Sequence, residues 1–270
     1  MSIRILYLLG LGHSGTTLLG RLLGAHSRVV ATGGTKNIPL FVSGRKTCSC
    51  GATSPQECTF WSRVEGSLNE RGRALADIQS GYDNQRRMDH GALGDYFRSV
   101  LEASGADVIV DTSRRRTYFT QLEQIPDVEL VPVHLFKDPR AQFSSDKRKG
   151  GSLAATAWTY GMRSRRVRGM RPKGKEVLHV AYEDLCRDPE AQLSRIMQAA
   201  GLEFEQAQVT AFGENENHIL GGNRQRRDKS SVIRLDETWR TRLTPTEARL
   251  MLLLNGRSHR RNLALARSSG

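Results

Sequence analysis

The stretch IRILYLLGLGHSGTTLLGRLL, which opens at Ile3, constrains the chain more than any other. Its apolar run from Ile3 to Leu9, interrupted only by Arg4 and Tyr7, reads as a short, fully buried strand. Leu18, Leu19, Leu22 and Leu23 then recur at helical spacing, so the glycine loop between them opens a helix. Such a turn aims successive backbone N–H groups at one point and makes an anion cradle, to which Ser14, Thr16 and Thr17 add hydroxyl donors. Set against the phosphate-loop pattern G-x-x-x-x-G-K-[ST], the chain matches at Gly10, Gly15 and Thr17, but Thr16 stands where the lysine belongs. Cleavage of a β–γ phosphoanhydride relies on that lysine and on magnesium. No clear Walker B carboxylate follows either, since Asp111 ends its strand but leads into TSRRR. The loop therefore suits a nucleotide with one phosphate in the cradle and no metal.

Further strands are expected in DVIVD, VELVPVHLF (with Pro132 as a blemish) and EVLHVAYEDL. Helices alternate with them: LGDYFRSVLEASGA stopped by Gly105, DPRAQFSSDKR started by Asp138 and Pro139, and the basic SLAATAWTYGMRSRRVRGM. DPEAQLSRIMQAAGL follows, and a last helix begins near Thr244 and Pro245. This alternation predicts an α/β protein whose parallel sheet is covered on both faces, with ligands at the carboxyl ends of the strands. The glycine loop, the Asp111 segment, KDPR and the tail of HVAY all fall at that end. One domain spanning 1–270 is expected, with a loop-rich insert at about 32–84.

Forty-one Lys and Arg against 28 Asp and Glu give a net charge of +13, which favours an anionic partner. The basic clusters are scattered along the chain and not interleaved with aromatic residues, so no nucleic-acid partner is expected. No apolar run approaches the ~20 residues of a membrane span, and no secretory signal is legible, so a cytoplasmic protein is expected. Cys48, Cys50 and Cys58 lie together in CSCGATSPQECTFW, whereas a structural zinc site wants four ligands in paired spacings. A compact loop with at most an oxidisable thiol pair, and no metal, is the expectation there.

The motifs, taken in order, resemble those of the sulfotransferases that use 3′-phosphoadenosine 5′-phosphosulfate (PAPS). Their first signature, [KRH]-S-G-T-T after a strand, stands here as His13-Ser14-Gly15-Thr16-Thr17. Their second, R-D-P-R with a serine eight residues after the first Arg, stands as Lys137, Asp138, Pro139, Arg140 and Ser145. DTSR at Asp111, YEDL at Tyr182, and HILGGNRQRR leading into LDETW also match, and the CSCG…ECTFW insert resembles one in bacterial, carbohydrate-type members. The resemblance runs from Ile3 to about Leu243. It implies a P-loop NTPase-like three-layer α/β/α fold with a central parallel sheet. It further implies PAPS as sulfuryl donor, 3′,5′-bisphosphoadenosine as product, no required metal, and a carbohydrate or small natural product as hydroxyl acceptor. Gly12, His13, Ser14, Gly15, Thr16 and Thr17 would hold the 5′-phosphosulfate. Lys137, Ser145 and Arg224 would contribute to the rest of the nucleotide site, the first two at the 3′-phosphate.

Three departures from the family pattern matter. His13 occupies a position usually held by Lys or Arg, so the transition-state cation becomes pH-dependent. The Gly-Glu pair of many bacterial members is replaced by ATGGTKN, and the base histidine that others carry near DTSRRR is missing. The general base is therefore unassigned, with Lys36, His90 and His218 as candidates; His134, on a strand, reads as a core residue. A catalytically weakened homologue that binds PAPS or its product as a sensor or partner module is the alternative.

Overall fold

A computed structural model describes residues 2–78 and 88–268. Five strands, β1 (Ile3–Gly10), β2 (Val29–Gly33), β3 (Val108–Arg114), β4 (Val128–Phe136) and β5 (Leu178–Ala181), form one sheet in the order β2-β3-β1-β4-β5. Every pairing is parallel, with Ile5 of the central β1 beside Ile109 on one side and Leu130 on the other.

Because side chains alternate across a strand, β1 supplies two cores at once. Ile3, Ile5, Tyr7 and Leu9 pack with Trp61, Tyr96 and Phe119 on one face, while Leu6 and Leu8 pack with Leu19, Leu22 and Ile196 on the other. The nearly continuous apolar run of β1 is thus the signature of a strand covered on both faces. Each such side chain contributes roughly 1.5–3 kcal/mol by leaving water. The insert joins the first core through the helix Thr59–Glu70, whose Phe60, Trp61, Val64 and Leu68 are buried. Its expected end, beyond residue 78, lies outside the described residues.

Two expectations need correction. The sheet has five strands, not four: Val29–Gly33, absorbed into the expected insert, is an edge strand paired to β3. Five residues ending in Thr-Gly give too short a run for periodicity to stand out. EVLHVAYEDL is also not one strand, because β5 ends at Ala181 and Tyr182–Arg187 is helical. Glu183 and Asp184 in that first turn complement the helix dipole, which a strand would not reward.

The helix starts follow the sequence signals. Asp138 accepts from the Arg140 N–H at 2.8 Å and Asp188 from the Ala191 N–H at 3.1 Å, each followed by proline. Pro132 is tolerated because β5 pairing begins only at Val133. No described helix is long and apolar enough to cross a membrane.

Candidate functional site

At the carboxyl end of β1 the chain turns through His13 (φ 68°) and Gly15 (φ 98°) into the helix Thr16–Gly24. Gly15 is obligatory on two grounds. Its φ is left-handed, and a Cβ there would stand 2.5 Å from the Tyr182 ring. No side chain caps this helix, so the orphan N–H groups of its first turn remain for a ligand. The loop is braced from below: Gln142 donates to the Gly12 carbonyl at 2.7 Å and the Ser14 hydroxyl to the Leu11 carbonyl at 2.9 Å. Thr17 accepts through Oγ1 from the Asn223 N–H at 3.4 Å, which ties the C-terminal strap to the loop.

Beside the loop lies a cavity of about 650 Å³, walled by the ends of β1, β3 and β4 and by the helix Leu153–Arg168. Ser14 and Lys137 line it together with five arginines, Arg114, Arg115, Arg116, Arg163 and Arg166. Arg114 is a non-glycine residue at φ 66°, a strained conformation at the irregular end of β3, and its guanidinium lies over Gly12. The RSRRVRGMR cluster, ambiguous in sequence, thus sends two arginines into the cavity; only the placement of its helix over the sheet separates them from the solvated ones. Burial, then the charge of Lys149, and also Arg114 and Arg148, hold the His13 imidazole below its usual value against the opposing pull of Asp146. The free protein therefore presents His13 mainly as the neutral ring at pH 7, and the fixed positive charge near the loop belongs to its neighbours.

Asp111 is fully buried at the end of β3, where it accepts from the Thr35 hydroxyl and, at 2.5 Å, from the Ser113 N–H. It holds the Thr35 turn through these hydrogen bonds. The next residue, Lys36, is a general-base candidate. Burial, aided by Arg114, Arg115 and Arg163 and opposed by Asp111, lowers its pKa to about 8. Lys36 is not itself a cavity-lining residue, but three of the residues that depress it are, so Lys36 lies in the same electrostatic field. His90 instead starts a helix and faces the Gln121 amide at 3.2 Å, and it is not among the cavity-lining residues. His134 is buried with its Nδ1 3.0 Å from that of His179, and it also lines the cavity.

Of the residues assigned to the second signature, Lys137 is only 4% exposed. Its ammonium stands 3.5 Å from the Asp236 carboxylate and 4.7 Å from the centre of the Tyr182 ring. Asp236 belongs to the LDETW match, so a motif more than ninety residues away completes the environment of Lys137. Ser145 is buried and donates to the Ala141 carbonyl at 3.0 Å. Arg224 is exposed at the start of the turn Arg224–Arg227, beside the Asn223 that touches Thr17.

His218, the last base candidate, is brought to Cys48, Cys50 and Cys58 and away from the cavity lining. The fold places a potential fourth ligand, His218, beside the three thiols. It comes from a strap 160 residues downstream of Cys58, out of reach of any local spacing rule.

Residues 130–206 match the model of the Sulfotransferase family. A search of curated proteins finds no match to the sequence. Among solved structures, the sulfotransferase domain of the Synechococcus PCC 7002 olefin synthase is similar with a TM-score of 0.54 at 16% identity, covering 93% of each chain. The sulfotransferase domain from the curacin biosynthetic pathway is similar with a TM-score of 0.57 at 14% identity, covering 94% of this chain and 98% of that one. The family match spans β4 through the helix Pro189–Ala199 and so includes the second signature and YEDL, while the architecture around it is that of solved sulfotransferase domains. Residues 130–206 thus resemble the Sulfotransferase family, and the chain as a whole has an α/β fold like that of solved sulfotransferase domains.

Proposed function

We propose that the protein transfers a sulfuryl group from PAPS to a hydroxyl of a carbohydrate or small natural product. One observation carries this reading: an anion cradle without its lysine opens onto an arginine-lined cavity. The acceptor oxygen attacks sulfur, the bond from sulfur to the bridging phosphate oxygen breaks, and the acceptor proton passes to the Lys36 amine. Charge that develops on the leaving phosphate meets the N–H groups of the Thr16–Gly24 helix, the threonine hydroxyls, His13 and Arg114. The five arginines favour an acceptor that itself carries carboxylate, phosphate or sulfate groups. No step in this reading calls on magnesium, and Asp111 keeps the role of holding Thr35 and Ser113.

Lys137 and Ser145 reward a 3′-phosphate in this reading, with Lys137 exchanging the half-exposed Asp236 for it. Calorimetry is expected to show 3′,5′-bisphosphoadenosine binding roughly 10- to 100-fold tighter than AMP, the worth of a charge-assisted hydrogen bond of ~1.5–3 kcal/mol. Lys137→Ala is expected to erase most of that preference and leave AMP binding nearly unchanged. Equal affinities for the two nucleotides would remove the second-signature assignment, and tight binding without turnover of any acceptor would favour the sensor alternative.

His13→Ala is expected to lower kcat far more than nucleotide affinity, since the charge it meets develops mainly in the transition state. The anionic donor favours imidazolium and raises the lowered pKa in the complex. His13→Arg, whose charge does not titrate, is therefore expected to hold its rate at alkaline pH where the natural protein declines. An unchanged kcat in His13→Ala would reduce the histidine to a loop residue and leave the charge to Arg114.

A further inference from the structure

We infer that Cys48, Cys50, Cys58 and His218 bind a structural zinc ion. One ligand atom from each residue lies within 4.8 Å of all the others, and together they form a Cys₃His set. Zinc–sulfur bonds of ~2.3 Å and zinc–nitrogen bonds of ~2.0–2.1 Å require tetrahedral edges of about 3.8 Å between sulfurs and about 3.5 Å between sulfur and nitrogen. The Cys50 and Cys58 sulfurs are 3.7 Å apart, and His218 Nδ1 stands 3.2 Å from Cys58 Sγ and 3.9 Å from Cys48 Sγ. Two of these protein ligands, Cys48 and Cys58, are buried, and His218 is nearly so. Four protein ligands close the coordination sphere, which is the mark of a structural site, and soft thiolates select zinc over magnesium or calcium.

The surroundings are built for such an ion. His218 is fixed by stacking on Phe60, with rings 5.2 Å apart and 13° from parallel, and its carbonyl accepts from Trp61 Nε1 at 3.1 Å. That leaves Nδ1 toward the sulfurs and Nε2 toward the Glu216 carboxylate, 4.0 Å away, the outer partner that a metal-bound imidazole commonly has. Binding would release the three thiol protons to solvent and leave three thiolates around a divalent ion, a net charge of −1. Arg226 and Arg227 balance it from the adjacent strap, where they donate to Thr47 and to the Cys48 carbonyl.

The ion would join three pieces of chain: the turn at Cys48–Ala52, the start of the Thr59–Glu70 helix and the strap around His218. The strap continues into Leu220, which bridges both Gly33 of β2 and Cys48, and then to Asn223 at the Thr17 hydroxyl. Zinc at this point would therefore hold the strap in register with the sheet edge and the phosphate loop.

The test uses the full chain produced in zinc-replete medium and does not depend on any turnover. Elemental analysis is expected to find one zinc ion per chain, and exchange for cobalt is expected to give the visible absorption of a tetrahedral site with thiolate charge-transfer bands. His218→Ala and Cys48→Ser should each lose the metal, and chelation of the natural chain should lower Tm by about 10 °C or more. Should a variant fail to fold, cobalt titration of the natural chain still decides the matter. Absence of bound zinc together with no cobalt spectrum, or a Cys50–Cys58 disulfide seen as the loss of two hydrogens in the intact mass, would overturn the assignment.

Discussion

Lys36→Met is expected to lose about 10²- to 10⁴-fold in kcat, the usual worth of a positioned general base, with little change in nucleotide affinity. The sign of the pH effect follows from the environment. Lys36 has a pKa of about 8, set by burial and then by Arg114, Arg115 and Arg163 against Asp111. Only the free amine accepts a proton, so in the His13→Arg background, where no imidazole adds a falling limb, kcat/KM, which reports the free enzyme, should rise with pH up to about 8 and then level off. Bound anionic donor favours the ammonium, so the matching limb in kcat should lie higher. Lys36→Arg separates base from charge. Guanidinium does not deprotonate in this range, so the arginine variant should be as slow as the methionine one. If Lys36→Arg instead restores the rate, Lys36 supplies positive charge and the proton goes elsewhere.

Gly33→Ala is the second variant with a large expected effect, and it acts through the fold alone. Gly33 sits at φ 85°, and a Cβ there would stand 2.2 Å from the Leu220 carbonyl oxygen and 2.8 Å from its nitrogen. Both neighbours are backbone atoms of the bridge that joins the strap to β2, so neither can turn aside as a side chain would. We expect a loss of about 3 kcal/mol or more in stability, read in a thermal melt as a fall in Tm of roughly 6–12 °C. Gly44→Ala is the control: its φ of 69° is equally left-handed, but nothing lies within 4 Å of the added methyl. That variant should show only the conformational cost, about 1–2 kcal/mol. Equal melting shifts in the two variants would mean that the strap yields freely and that the 33–220 bridge adds nothing.

Much of the site was legible in the chain because its signals are local. The lysine-free loop could be read at Gly10–Thr17, since a strand, a left-handed glycine and an amphipathic helix each leave a short-range pattern. The Asp-Pro helix starts at Asp138 and Asp188 were equally plain, for an N-cap and a proline at the first turn act within four residues. Lys36 stood among the base candidates, but nothing in GGTKN distinguishes it from His90. Its depressed pKa arises from arginines about eighty and more than a hundred residues away, and that proximity exists only once β2, β3 and the Leu153–Arg168 helix are assembled.

The sequence by itself determined the alternation of strand and helix, the buried central β1, the glycine turn that opens the first helix and the basic character of the chain. These rest on hydrophobic periodicity, on glycine's backbone freedom and on net charge, which are properties of neighbouring residues or of bulk composition. Tertiary structure alone decided which arginines face the cavity, that Lys137 pairs with Asp236, and that His218 lies beside three cysteines and not in the cavity lining. Each of these depends on the parallel sheet, whose crossovers bring residues distant in sequence to one edge. Coulomb and coordination energies fall with distance in space and carry no trace of separation along the chain.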